Sequence, residues 1–151
     1  MPSEETNDLT RREWQDLGFH CSRNDKSRLW ILEGSPEGPV AFASLLRTFA
    51  GALASDPALD LAHYGHYMYL ELMRSERPGV TDHCIQGAAP DFLRLAEIAR
   101  RSVGVFGPGE SASIGSEFAP SSPYRLLLRV KPPGTDLASL DPQLASNKDA
   151  D

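Results

Sequence analysis

Two stretches of this chain place apolar residues three and four positions apart, and short stretches of alternating apolar and polar residues lie on either side of them. This change of period constrains the fold more than any other feature. Phe42, Leu45, Leu46, Phe49, Ala50 and Leu53 mark the buried face of one helix, and Phe92, Leu95, Ala96, Ala99 and Val103 that of a second. Between them, Tyr67 to Arg74 sets Met68, Leu70 and Leu72 against Tyr67, Tyr69 and Glu71, the period of a strand with one apolar face. Leu17–Cys21 and Arg28–Glu33 read as a hairpin around the polar turn Arg23 to Lys26. Val80–Gln86 reads as a return strand after Arg77-Pro78-Gly79, and Ser111–Phe118 with Tyr124–Lys131 as a last hairpin. Ser35 and Pro36 suit the start of the first helix, and Asp56-Pro57 its end.

The order is therefore ββαββαββ, an α+β domain. Helices arriving singly between hairpins predict two layers: one mostly antiparallel sheet of about six strands, with both helices on one face. The domain is expected over residues 14–131, with flexible tails at 1–13 and 132–151. The two helix-plus-hairpin units look like a loose repeat, although their residues barely match.

The 151 residues suit one domain large enough to bury a core without a metal or a disulfide. No apolar run approaches the ~20 residues that span a bilayer, so no membrane association is expected. The acidic start Met1-Pro2-Ser3-Glu4-Glu5 is the reverse of a signal peptide, and a cytoplasmic location is expected. Cys21 and Cys84 then read as reduced, buried thiols. The net charge of −6 sits at the ends: residues 1–16 hold five acids and two bases, and residues 136–151 four acids and one base. The body is neutral, which disfavours nucleic acid as a partner.

Chemistry-bearing residues concentrate in His63-Tyr64-Gly65-His66-Tyr67-Met68-Tyr69-Leu70-Glu71. His63 and His66, with His83 or Cys84, have no spacing that assembles a metal site, so neither metal nor cofactor is expected. Gly104 to Gly109 lacks the spacing and the lysine of a phosphate loop, and Ser111, Ser113 and Ser116 lie in no nucleophile elbow. His83 and Cys84 are neighbours, which in a strand point to opposite faces. A non-enzyme is expected, with an acid–base pair of His66 and Glu71 as the minor alternative. Tyrosine combines contact area with a polar tip and is enriched in interfaces. Tyr64, His66, Tyr67, Tyr69 and Glu71 are accordingly the candidate partner-binding residues. Trp30 suits either that patch or the core, and Arg125 and Arg129 read as a solvated face.

The same passage, His63 to Glu71, resembles the hallmark of a small bacterial immunity protein family of polymorphic toxin systems, immunity protein 32. Further stretches of the resemblance are Trp14 to Phe19, Gly34 to Gly38, His83 to Gly87 and Glu117 to Tyr124. It covers Trp14 to Val130. It implies a non-catalytic inhibitor whose partner is a cognate toxin domain, and it carries over no catalytic residue. A small-ligand or adaptor binding domain is the alternative.

Overall fold

The computed structural model describes Leu9, Arg12, Gln15 and residues 17–64, 70–101 and 111–132. Most of the two expected tails, the candidates His66, Tyr67 and Tyr69, and Val103 of the second helix stripe lie outside these residues. In chain order the elements are β1 (His20–Asn24), β2 (Leu29–Gly34), α1 (Gly38–Ser55), β3 (Leu61–Tyr64), β4 (Leu70–Arg74), β5 (Gly79–Val80), β6 (Cys84–Gly87), α2 (Ala89–Arg101), β7 (Ser111–Ser113), a single helical turn α3 (Gly115–Phe118) and β8 (Arg125–Val130).

The fold is α+β. The single, mostly antiparallel six-stranded sheet is corrected: the described strands form two mixed sheets of four, ordered β1-β2-β8-β7 and β3-β4-β6-β5. Two local causes and one long-range pairing account for the difference. Leu61–Tyr64, a short segment without a β-branched residue, pairs with β4 as an unforeseen strand. The expected return strand Val80–Gln86 is broken because Thr81 Oγ1 accepts the amides of His83 and Cys84, each at 3.1 Å, and turns the chain between β5 and β6. Finally, the adjacent inner strands run parallel, β2 with β8 and β4 with β6. The last hairpin does form, but β7 stops at Ser113 and α3 follows. A Cβ at Gly115 would lie 2.9 Å from the backbone nitrogen of Leu126, so this position demands glycine.

Both sheets share one plan: two hairpins side by side, with the second strands of each adjacent and parallel. The chain divides into halves, β1β2α1β3β4 and β5β6α2β7β8, and each sheet takes one hairpin from each half. The registers correspond as well. Leu72 faces Ile85 on one side and Ala62 on the other, as Leu128 faces Leu32 and Ala112. Val80 faces Ile85 as Cys21 faces Leu32. The hydrogen bond from the Ser75 amide to the Gly87 carbonyl (2.9 Å) recurs as that from Lys131 to Gly34 (2.7 Å). The structure thus carries a two-fold repeat of topology and register, by strand period rather than residue identity, but its units are hairpin, helix, hairpin and not the helix-plus-hairpin units expected from the sequence.

The helices pack on each other at the centre, where the rings of Phe49 and Phe92 meet edge-on at 4.9 Å. Their stripes hold: Phe42, Leu46, Phe49, Ala50 and Leu53 are buried in α1, as are Phe92, Leu95, Ala96, Ile98 and Ala99 in α2, with Leu45 packed at the margin. Trp30, Leu32, Leu126 and Leu128 of one sheet and Leu70, Leu72, Val80 and Ile85 of the other complete a single core. The expected start of α1 is shifted. Glu37 is the N-cap residue without a side-chain cap, Pro39 lies in the first turn, and Ser35 Oγ donates instead to Glu37 Oε2 at 2.7 Å. In α2, Asp91 Oδ2 accepts the Ala88 amide at 2.9 Å and satisfies one orphan donor.

Candidate functional site

Alternation in β4 separates the core from the outer face of the second sheet. Leu70 and Leu72 are fully buried, and Glu71 points to the opposite side. The register then sets three chemistry-bearing residues in one row across that outer face: His63 on β3, Glu71 on β4 and Cys84 on β6. His63 Nε2 stands 3.5 Å from Glu71 Oε2, with the Glu71 side chain only 23% exposed. Glu71 is therefore half-buried and engaged rather than fully presented to solvent.

Cys84 closes the row. Its thiol is buried and lies within 3.5 Å of Thr81 Oγ1. Burial pushes the thiol pKa up; the Thr81 hydrogen bond pulls against this, and the charges of Glu71 and Asp82 add to the rise. A thiol kept protonated is a poor nucleophile. The order along the row is wrong for a triad as well, because the carboxylate stands between thiol and imidazole instead of orienting the imidazole from behind. Cys21 is likewise buried and free, its thiol pKa raised by burial.

Of the other sequence candidates, Tyr64 ends β3, where its backbone pairs with Leu70 at the start of β4. His66, Tyr67 and Tyr69 fall in the stretch between these two residues, outside the described ones. His83 is exposed beside Asp82, at 3.5 Å, on the turn before β6. Among the described residues no group of three metal-ligating side chains converges, and no helix is long and apolar enough to cross a membrane. Trp30 belongs to the core, completely buried, and its indole N–H donates to the Thr81 carbonyl at 2.7 Å. Arg129 faces outward and stands 3.6 Å from Glu33.

The chain matches no protein-family model, no curated protein and no solved structure. What distinguishes the site must therefore come from the molecule itself, and the two-fold repeat supplies an internal comparison. The positions equivalent to Cys84, Glu71 and His63 in the first sheet are Ile31, Leu127 and Ser113. The same backbone geometry thus accepts two aliphatic side chains and a small hydroxyl where the second sheet carries ionisable groups.

Sequence reasoning missed two things. It did not pair His63 with Glu71, because the partnership depends on β3. It also read Arg77-Pro78-Gly79 as a turn and Ala119 to Pro123 as a connection between strands, and did not bring the two together. The two turns line one open cleft of about 470 Å³ at the β5 side of the second sheet, together with Thr81, Gln86 and Phe118.

Proposed function

We propose that this chain is a non-catalytic inhibitor, an immunity protein that acts in the cytoplasm by covering the active site or substrate groove of a bacterial toxin domain. The toxin would engage the second sheet around the β3–β4 hairpin through the candidates Tyr64, His66, Tyr67, Tyr69 and Glu71; of these Glu71 stands on the outer face, and His63 is added by its pairing to Glu71.

One observation carries this reading. The fold tolerates Ile31 and Leu127 at the positions matching Cys84 and Glu71, so folding does not require an ionisable row on this face. Polar chemistry that stability does not demand, bordering a tyrosine-rich stretch, fits a recognition surface better than a structural one. The resemblance of His63 to Glu71 to the immunity family gives the class of partner. The protonated thiol and the unsuitable order of the row support inhibition over catalysis. A stable complex would bury about 1,200–2,000 Å², with a few aromatic anchors supplying much of the affinity.

The test is co-expression with the toxin domain encoded by the adjacent gene. The expected result is a complex that survives size-exclusion chromatography and host cells that survive toxin induction. Free toxin and unprotected cells would refute the reading.

A further inference from the structure

We propose that the cleft between the Arg77-Pro78-Gly79 turn and the Ala119–Pro123 segment binds a small amphipathic carboxylate. The site lies at the β5 edge of the second sheet, the edge opposite the β3–β4 hairpin of the proposed toxin-binding face, and the inference does not depend on that reading.

The volume, about 470 Å³, falls within the range of small-molecule sites. Its walls are apolar where Pro78, Ala119, Pro120 and Pro123 line it. The polar groups around it are chiefly donors. Arg77 is exposed, its amide is anchored to Ser75 Oγ at 3.3 Å, and among the described residues nothing pairs with its guanidinium. The Gln86 carboxamide is held only by long contacts, 3.4 Å from Nε2 to Ser75 Oγ and 3.8 Å from Cys84 Sγ to Oε1, so it is free to reorient toward a ligand. Ser122 Oγ accepts the Val80 amide at 2.8 Å and keeps its own proton to donate, and Ser121 is exposed.

No aspartate or glutamate lines the cleft. One uncompensated guanidinium, hydroxyl donors and a carboxamide against proline walls select an anion with a hydrocarbon body. Arginine's forked donors match a carboxylate in particular. The β5 edge next to the cleft is also held, because both polar backbone atoms of Val80 are engaged: its carbonyl accepts the Tyr124 amide at 3.2 Å, and its own amide donates to Ser122 Oγ at 2.8 Å. The cleft therefore presents little free strand edge for a peptide to extend, and the argument favours a small molecule.

The experiment is a titration of the ¹⁵N-labelled full chain, followed by amide chemical shifts, with a panel of small carboxylates led by 4-phenylbutyrate, each beside its neutral amide. Expected are saturable shifts confined to residues 77–81, 86 and 118–123, with the amides at least tenfold weaker. Arg77→Gln should weaken 4-phenylbutyrate at least tenfold and leave the thermal midpoint unchanged, since Arg77 is exposed. Ser121→Ala, a second variant remote from the core, should weaken it less. Equal binding of acids and amides, full affinity in Arg77→Gln, or no localised shifts across the panel at millimolar concentration would each overturn the proposal.

Discussion

Arg74 shows how a single side chain closes a gap that its own element does not create. α1 has no basic residue in its last turn, so its final carbonyls lack a cation. Arg74 supplies one from β4: Nε donates to the Leu59 carbonyl at 2.8 Å, and Nη2 donates to Leu53 and Asp56 at 3.0 and 2.8 Å. Hydrogen bonds from a charged donor contribute roughly 1.5–3 kcal/mol each, but they are not additive within one fork. Arg74→Met should therefore cost about 2–4 kcal/mol in chemical denaturation, and Arg74→Lys should recover only part of it, because an ammonium lacks the planar fork. A Met variant as stable as wild type would mean that water serves these carbonyls equally well. Nothing in the sequence marked Arg74 for this role; it read as the last residue of an alternating strand. Leu70 and Leu72, by contrast, were legible from period alone, because alternation depends only on local backbone geometry.

At the scale of elements, the two sheets meet where Trp30 reaches Thr81, and a polar cluster lies beside this junction. Arg23 stacks over the Trp30 ring at 5.6 Å, donates to the Asp82 carbonyl and pairs with Asp25 at 2.8 Å, while the Tyr124 hydroxyl donates to Asp25 at 2.7 Å. The Tyr124 bond, aided by Arg23, holds the Asp25 pKa below its ordinary value, and the same bond raises that of Tyr124. A depressed carboxyl contributes stability that is present above its ordinary pKa and lost as pH falls through the folded value. A raised phenol contributes stability that is present below about pH 10 and lost as pH climbs through its folded value. The stability difference between wild type and Tyr124→Phe should thus be flat from about pH 5 to 9 and shrink on both sides. A difference that stays constant from pH 3 to 11 would sink this account. The helices were legible because their stripes are long and regular. The strand partnerships were not: β2 and β8 join opposite ends of the chain, and β3 is too short to announce itself. The outer face proposed for binding was legible in part, through the parity of Glu71 against Leu70 and Leu72. The cleft was not, because its two turns become neighbours only after folding.

At the scale of the whole molecule, the two-fold plan makes each sheet depend on both halves of the chain. Neither half holds a complete sheet, and the helix pair at the centre is common to both. Phe49→Ala, at the edge-on contact with Phe92, should cost about 3–5 kcal/mol. It should lower native-state hydrogen-exchange protection by the same amount at Leu32 and Leu128 as at Leu72 and Ile85. Loss confined to one pair would show that the sheets unfold as separate units. The same plan frames the functional proposal, since it identifies the row of His63, Glu71 and Cys84 as chemistry that its counterpart in the first sheet does without. The most direct test is the dissociation constant of the complex with the adjacent toxin domain for Tyr67→Ala, Tyr69→Ala and His63→Ala, with unfolding free energies measured alongside and Leu70→Ala as the core control. Leu70→Ala should lose about 2–5 kcal/mol of stability. At least one of these three variants should weaken binding by about 2 kcal/mol, roughly thirtyfold, while changing stability much less. A tight complex that all three variants preserve within threefold would contradict the assignment of this face to the toxin.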